Sequence, residues 1–159
     1  MLNLADFTQQ NLAIDQDPAT MFVQHERTEN SFPLHQHQKS QLLYVLEGLA
    51  FVETPGHTYY LPARHYVWIP PGLEHRLLAR SAQYRLHSLC FAEAADAAHP
   101  FYGVLGIYPV ATLLYELLCY TERWQGLVAP SEADVSASPN RVPVVSRERR
   151  NFHYLTTAK

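Results

Sequence analysis

Phe32-Pro33-Leu34-His35-Gln36-His37-Gln38-Lys39-Ser40-Gln41-Leu42-Leu43-Tyr44-Val45-Leu46-Glu47-Gly48 is the stretch that decides the fold. Its second half, Gln41–Leu46, is short and rich in β-branched and aromatic residues, and Glu47-Gly48 supplies a turn, so it reads as a strand. Side chains alternate across a strand. Here both parities are apolar: Leu42, Tyr44 and Leu46 on one side, Leu43 and Val45 on the other. One face must line an interior, and the other must meet a second layer or a partner chain.

Outward from this strand, turn signals recur every eight to twelve residues from about Met21 to Phe91: Phe32-Pro33, Glu47-Gly48, Pro55-Gly56, Pro62-Ala63 and Pro70-Pro71-Gly72. Between them lie further strand-like runs at Leu49–Glu53, Thr58–Leu61, Tyr66–Ile69, His75–Ala79 and Tyr84–Phe91. Short strands at such spacing predict a β-sandwich or barrel. After Pro109 the period changes. Val110, Leu113, Leu114, Leu117, Thr121 and Trp124 follow a helical stripe, with Pro109 suited to a first turn and Gly126 to the stop. Tyr115, Leu118 and Cys119 give this helix a second apolar side. Leu114, Tyr115, Leu118 and Cys119 are therefore the expected interface of a homodimer, two-fold association being the commonest assembly. From Leu127 onward Pro130, Ser131, Ser136, Ser138, Pro139 and Pro143 mark a linker, which ends in the basic run Arg147-Glu148-Arg149-Arg150 and a short terminal segment.

The first half of the quoted stretch carries the chemistry. In an unbroken strand His35, His37 and Gln41 share a face, and His75, following a Pro-Gly turn, can converge on them inside a barrel. Three imidazoles with an open position suit a transition metal such as Zn, Ni, Fe or Mn. The same groups equally suit the hydrogen-bonded lining of a metal-free ligand cavity, and spacing alone leaves the choice open. Gln41 is neutral where a fourth ligand is normally charged, which weakens retention of a divalent ion. Tyr44, Tyr66 and Trp68 are candidate cavity walls, although Tyr44 and Trp68 have the parity opposite to the inward neighbours. His25, His57, His65, His87, His99 and His153 show no comparable arrangement and read as surface or satisfied residues.

His35-x-His37-x3-Gln41-x6-Gly48 and Pro70-x-Gly72-x2-His75 resemble the two motifs of the cupin superfamily, with Gln in place of the usual Glu. The leading Gly of the first motif is absent, and Ala79 stands where the second has Asn. The wider frame is similar to the N-terminal sensor domain of AraC-type bacterial transcription regulators. It comprises Ser31–His37, Leu43–Gly48, Tyr60-Leu61-Pro62, Val67–Gly72, Gly106–Pro109 and the Leu113–Trp124 helix. The resemblance covers residues 15–126. It implies a mainly β fold, a cupin-like β-barrel or jelly roll followed by one or two C-terminal helices. The expected division is a barrel over 1–108, a dimerisation helix over 109–126 and a tail over 127–159. Nothing after Gly126 has the length or the period of a helix-turn-helix unit, so DNA contact is expected only through a unit missing here. The implied function is binding of a small-molecule effector at His35, His37, Gln41, Tyr44, Tyr66, Trp68 and His75. The competing reading is a stand-alone metal-dependent cupin enzyme, an isomerase or dioxygenase.

Composition agrees with a single domain of 159 residues. At this length about 70% of the unfolded surface can be buried without a disulfide or structural metal. The formal net charge of −3 argues against the body binding nucleic acid by itself. Residues 1–125 hold 7 bases and 12 acids, and residues 126–159 hold 5 bases and 3 acids, so only the tail is net basic. Cys90 and Cys119 sit among apolar neighbours and are expected to be buried, reduced thiols. The N-terminus has neither the basic nor the apolar region of a secretory signal, and the stretch Ala97–Tyr115 is too interrupted to span a bilayer. Both point to a cytoplasmic protein.

Overall fold

A computed structural model describes residues 4–17, 21–26, 32–81, 83–91 and 98–128. In chain order the elements are helix α1 (Leu4–Ile14) and strands β1 (Met21–Glu26), β2 (Ser40–Glu47), β3 (Leu49–Thr54), β4 (His57–Pro62), β5 (His65–Ile69), β6 (Arg76–Ala79), β7 (Arg85–Phe91) and β8 (Gly106–Pro109). Helix α2 (Thr112–Thr121) and β9 (Gly126–Val128) complete the order. The strands form a six-stranded sheet, β8-β5-β2-β7-β1-β9, and a three-stranded sheet, β4-β3-β6. Every pairing is antiparallel, as expected for a cupin-like barrel with a helix after it.

The double parity of β2 has a direct structural meaning. Its register sets Leu43 beside Val67 and Ser88. On this face Leu43, Val45, Val67, Ile69 and Leu86 pack with Ala50, Val52, Leu61 and Leu77 of the small sheet. The opposite face carries Leu42, Tyr44, Tyr66, Trp68, Leu89 and Phe91, packed with Leu118 of α2 and with Phe101, Tyr102 and Tyr108. The second layer is therefore the chain itself. Gly48 connects β2 to β3 at φ 87°, and a Cβ there would collide with the Gln83 carbonyl and the Ser81 hydroxyl, so the turn admits only glycine.

Several expectations need correction. The helix spans 112–121, not 109–126: Pro109 ends β8, and Gly126, at φ 81°, opens β9 against β1. The anticipated boundary between helix and tail runs through β9, whose Val128 lies in the outer core. Helix α1 was not foreseen at all. Leu118 is 2% exposed and faces this chain's own sheet, whereas Leu113 and Leu117 point to solvent at 61% and 39%. The docked side thus combines Val110, Leu114, Thr121 and Trp124 of the expected stripe with Leu118 of the side expected to be free, which takes Leu118 out of the expected interface. Leu114 is half-buried against the same core, Cys119 is half-buried, and only Tyr115 of the four expected interface residues is exposed. Cys90 is fully buried and Cys119 partly so, and both are free thiols. No helix among the described residues is long and apolar enough to cross a membrane. The linker and basic run, Leu127 and Val128 apart, lie outside the described residues.

Candidate metal and ligand site

The three motif histidines meet, although not by the route that strand parity suggests. Strand β2 begins only at Ser40, so His35 and His37 precede it in an irregular segment. His35 is held by an isolated antiparallel bridge to His75, with reciprocal N–H···O bonds of 2.9 and 2.8 Å. The Pro70-Pro71-Gly72 turn closes the arrangement. Gly72, at φ 70°, donates its N–H to the His37 carbonyl at 2.8 Å. Ring centroids are 4.4 Å apart for His35–His75, 5.2 Å for His37–His75 and 6.0 Å for His35–His37.

Each imidazole is oriented the same way. Nδ1–H of His35 donates to the Pro33 carbonyl at 2.8 Å, that of His37 to Lys39 at 2.6 Å, and that of His75 to Leu73 at 2.8 Å. A carbonyl only accepts, so the proton of each neutral ring is fixed on Nδ1 and the lone pair on Nε2. Burial holds His35 and His75 neutral. It pushes the pKa of His75 down to about 3, helped by the neighbouring His35, and lowers that of His35 against the upward pull of the Pro33 carbonyl.

Gln41 enters from β2. Its Oε1 lies 3.2 Å from His37 Nε2 and 3.0 Å from His75 Nε2, and its Nε2 donates to Ser88 Oγ at 2.9 Å. Four lone-pair atoms, three nitrogens and one oxygen, are thus turned toward one locus. One ligand atom from each histidine lies within 4.8 Å of the others. Ligands at about 2.0–2.1 Å from a single ion sit somewhat closer together than that upper bound, so small inward shifts close the shell. This donor set fits a divalent transition metal. His35, His37, His75 and the Gln41 oxygen would hold it, each orienting carbonyl acting as the outer support that metal-binding imidazoles ordinarily have.

The cavity beside these groups measures about 40 Å³. A water needs only about 10–15 Å³ on this measure, whereas sites for drug-sized ligands run to about 300–1,000 Å³. The space is small because α1 roofs it: Phe7, Gln10, Asn11 and Ile14 line it together with Gln24, Phe32 and Ser88. Phe7 stands edge-on to His35 at 5.0 Å, and Asn11 Oδ1 is buried without a hydrogen-bond partner. The sequence signal for this roof is faint, because only Phe7 and Ile14 mark its apolar side. Among the described residues no carboxylate or lysine lines it.

Tyr44, Tyr66 and Trp68 are not walls of this cavity. All three belong to the outer core beneath α2, where Trp68 Nε1–H donates to the Tyr102 carbonyl at 3.2 Å. The register pairs Leu42 with Trp68 and Tyr44 with Tyr66, which puts all four on the face away from Gln41. His87, expected at the surface or satisfied, is instead 1% exposed. Its Nε2 contacts Thr121 Oγ1 at 3.1 Å, while its Nδ1 is buried with no partner.

Residues 21–91, a little under half of the chain, match the family described as Cupin domain. Sixty residues are 35% identical to the HTH-type transcriptional regulator NimR of Escherichia coli K12. That match takes in 37% of this chain and 22% of NimR, so it spans about a fifth of the regulator's length. Among solved structures, apo ToxT K231A from Vibrio cholerae aligns with a TM-score of 0.49 and 11% identity over 63% of this chain and 47% of that one. A cupin-2 domain protein from Shewanella frigidimarina aligns with a TM-score of 0.41 and 21% identity over 43% and 68% of the two chains. The chain is thus similar to the cupin family over residues 21–91 and to part of a transcription regulator over sixty residues.

Proposed function

We propose that this chain is the effector-sensing module of an AraC-type transcription regulator, with a divalent transition metal at His35, His37, Gln41 and His75 as the centre of its site. The observation that carries this reading is the convergence of four oriented lone-pair donors in a cavity that, among the described residues, no acid and no lysine lines. Such a cavity binds, and it offers no separate group to move a proton during turnover. When bound, the metal supplies a Lewis-acidic point for an oxygen or nitrogen of the effector. The chain's own groups do the rest. His35 and His75 stay neutral, Ser88 hydrogen-bonds the Gln41 amide, and Asn11 Oδ1 accepts from an N–H or O–H on the ligand. The small cavity restricts the effector to a few non-hydrogen atoms. Self-association in the cytoplasm would use the solvent face of α2.

The test is thermal unfolding of metal-depleted protein with Zn²⁺, Co²⁺ or Ni²⁺. A metal present at a hundred times its dissociation constant should stabilise the fold by about 2.7 kcal/mol, and His75→Ala should abolish that gain. Equal melting with and without every metal would remove the proposed centre. Stoichiometric metal accompanied by isomerase or dioxygenase turnover would favour the enzyme instead.

A further inference from the structure

Asp15 lies immediately after α1, where the partial negative charge of a helix C-terminus disfavours a carboxylate. What it gains there is specific. Its Oδ2 accepts the backbone N–H of Gln38 at 2.7 Å and its Oδ1 that of Lys39 at 3.2 Å. Those two peptides form the bend between His37 and β2, and the Lys39 carbonyl is the acceptor that holds His37 Nδ1–H at 2.6 Å. One carboxylate therefore clamps the bend whose carbonyl sets the tautomer and aim of His37. The other two imidazoles are oriented differently, by the Pro33 and Leu73 carbonyls, to which Asp15 makes no bond.

We propose that Asp15 is a positioning residue for the three-histidine centre, acting through the Gln38–Lys39 bend to present the Nε2 of His37. This rests on the metal-site reading of the cluster but goes beyond it, because it gives the N-terminal helix a part in the affinity of that site. The clamp is a second support behind His37. Outer supports of this kind ordinarily change metal affinity by about ten- to a hundred-fold when removed.

The variant is Asp15→Ala. It frees two N–H groups at a partly exposed position where water can reach them, so the fold should survive. Ala13→Gly serves as its control, since it weakens the same helix through glycine's backbone freedom without touching the bend. The first readout is the imidazole ¹⁵N spectrum of the full chain without metal. Asp15→Ala should move His37 from the Nδ1–H tautomer to a mixture, with His35 and His75 unchanged. The second is Co²⁺ affinity, followed by its visible spectrum, which should fall about ten- to a hundred-fold in Asp15→Ala and stay within about two-fold in Ala13→Gly. A His37 spectrum indifferent to Asp15→Ala, or an equal loss of affinity in Ala13→Gly, overturns the proposal. If the unmodified chain takes up no Co²⁺ while His37 still responds to Asp15→Ala, the metal reading falls and the positioning role stands.

Discussion

Gln41 presents its amide oxygen to the Nε2 atoms of two imidazoles whose Nδ1–H is already given to a carbonyl, so Nε2 lone pairs repel it unless something positive lies between them. Two arrangements relieve it. A cation at the centre accepts all four donors while the amide N–H stays on Ser88 Oγ. Without a cation, the amide turns over, donates to His37 and His75, and accepts from the Ser88 hydroxyl. Both are satisfied, so Gln41 allows the site to exist empty at little cost, which suits a reversible sensor. A carboxylate has no such second arrangement. Gln41→Glu should tighten Zn²⁺ or Co²⁺ binding about ten-fold or more, because it places a full negative charge against the ion in a poorly solvated site. Competition against a chromophoric chelator measures this. Weaker binding in Gln41→Glu would mean that the amide nitrogen faces the centre in the loaded protein.

Helix α2 shows where reading from sequence stops. The period of Val110, Leu113, Leu114, Leu117, Thr121 and Trp124 gives a helix, but Leu113 with Leu117 and Leu114 with Leu118 make two apolar stripes, and a period cannot say which one docks. The sheet decides: Tyr44, Tyr66 and Leu89 on its outer face receive Leu118 and leave Leu113 and Leu117 in solvent. Six of the seven strands between Met21 and Phe91 were legible, β2 to β6 from the Pro and Gly near their ends and β7 from its own strand-like composition, whereas β1 was not among the expected runs. The short β8 and β9 were not, since four and three residues carry too little alternation to register. Helix α1, and with it Asn11 and Asp15, was hidden by a polar run between Phe7 and Ile14. In the site itself the three histidines and Gln41 could be found from motif spacing. Ser88 and the true setting of Tyr44, Tyr66 and Trp68 depend on register, which only pairing fixes. The two faces of α2 predict opposite behaviour. Leu118→Ala should cost about 2–4 kcal/mol of stability by opening a cavity in the outer core and leave the molecular mass in solution unchanged. Leu113→Glu with Leu117→Glu should change stability by only about 0.5 kcal/mol per site and convert a dimer into monomer by light scattering. A dimer that persists through the double substitution would place self-association elsewhere.

Across the whole molecule, the six-stranded sheet is packed on both faces, and each face buries histidine. His75 lies on the cavity side. His87 lies on the helix side, against His25 at a ring distance of 4.3 Å and under Thr121. Burial pushes the His87 pKa down to about 3, and the neighbouring His25 adds to the shift. The Thr121 hydroxyl already donates to the Leu118 carbonyl at 2.8 Å, so His87 Nε2–H is the donor to Thr121 and Nδ1 is left as a bare lone pair. A proton added there finds no partner in the folded protein, whereas the unfolded chain takes it up at the ordinary pKa of about 6.5. Above that pH both states are neutral at this position and stability is fully present. As pH falls from about 6.5 toward 3, only the unfolded state gains the proton, and His87 withdraws up to about 1.4 kcal/mol of stability per pH unit. His75 and the acids titrate over an overlapping range, so the whole-protein slope does not isolate His87. The difference from a variant does. His87→Gln keeps an N–H within reach of Thr121 and cannot titrate. Denaturant melts at pH 7, 6, 5 and 4 should therefore show the gap between unmodified protein and His87→Gln shifting in favour of the variant as pH drops, with a slope approaching one proton. Parallel stability curves over that range would mean that the folded protein accommodates a charge at His87 as readily as the unfolded chain does, and that the core under α2 is open to water.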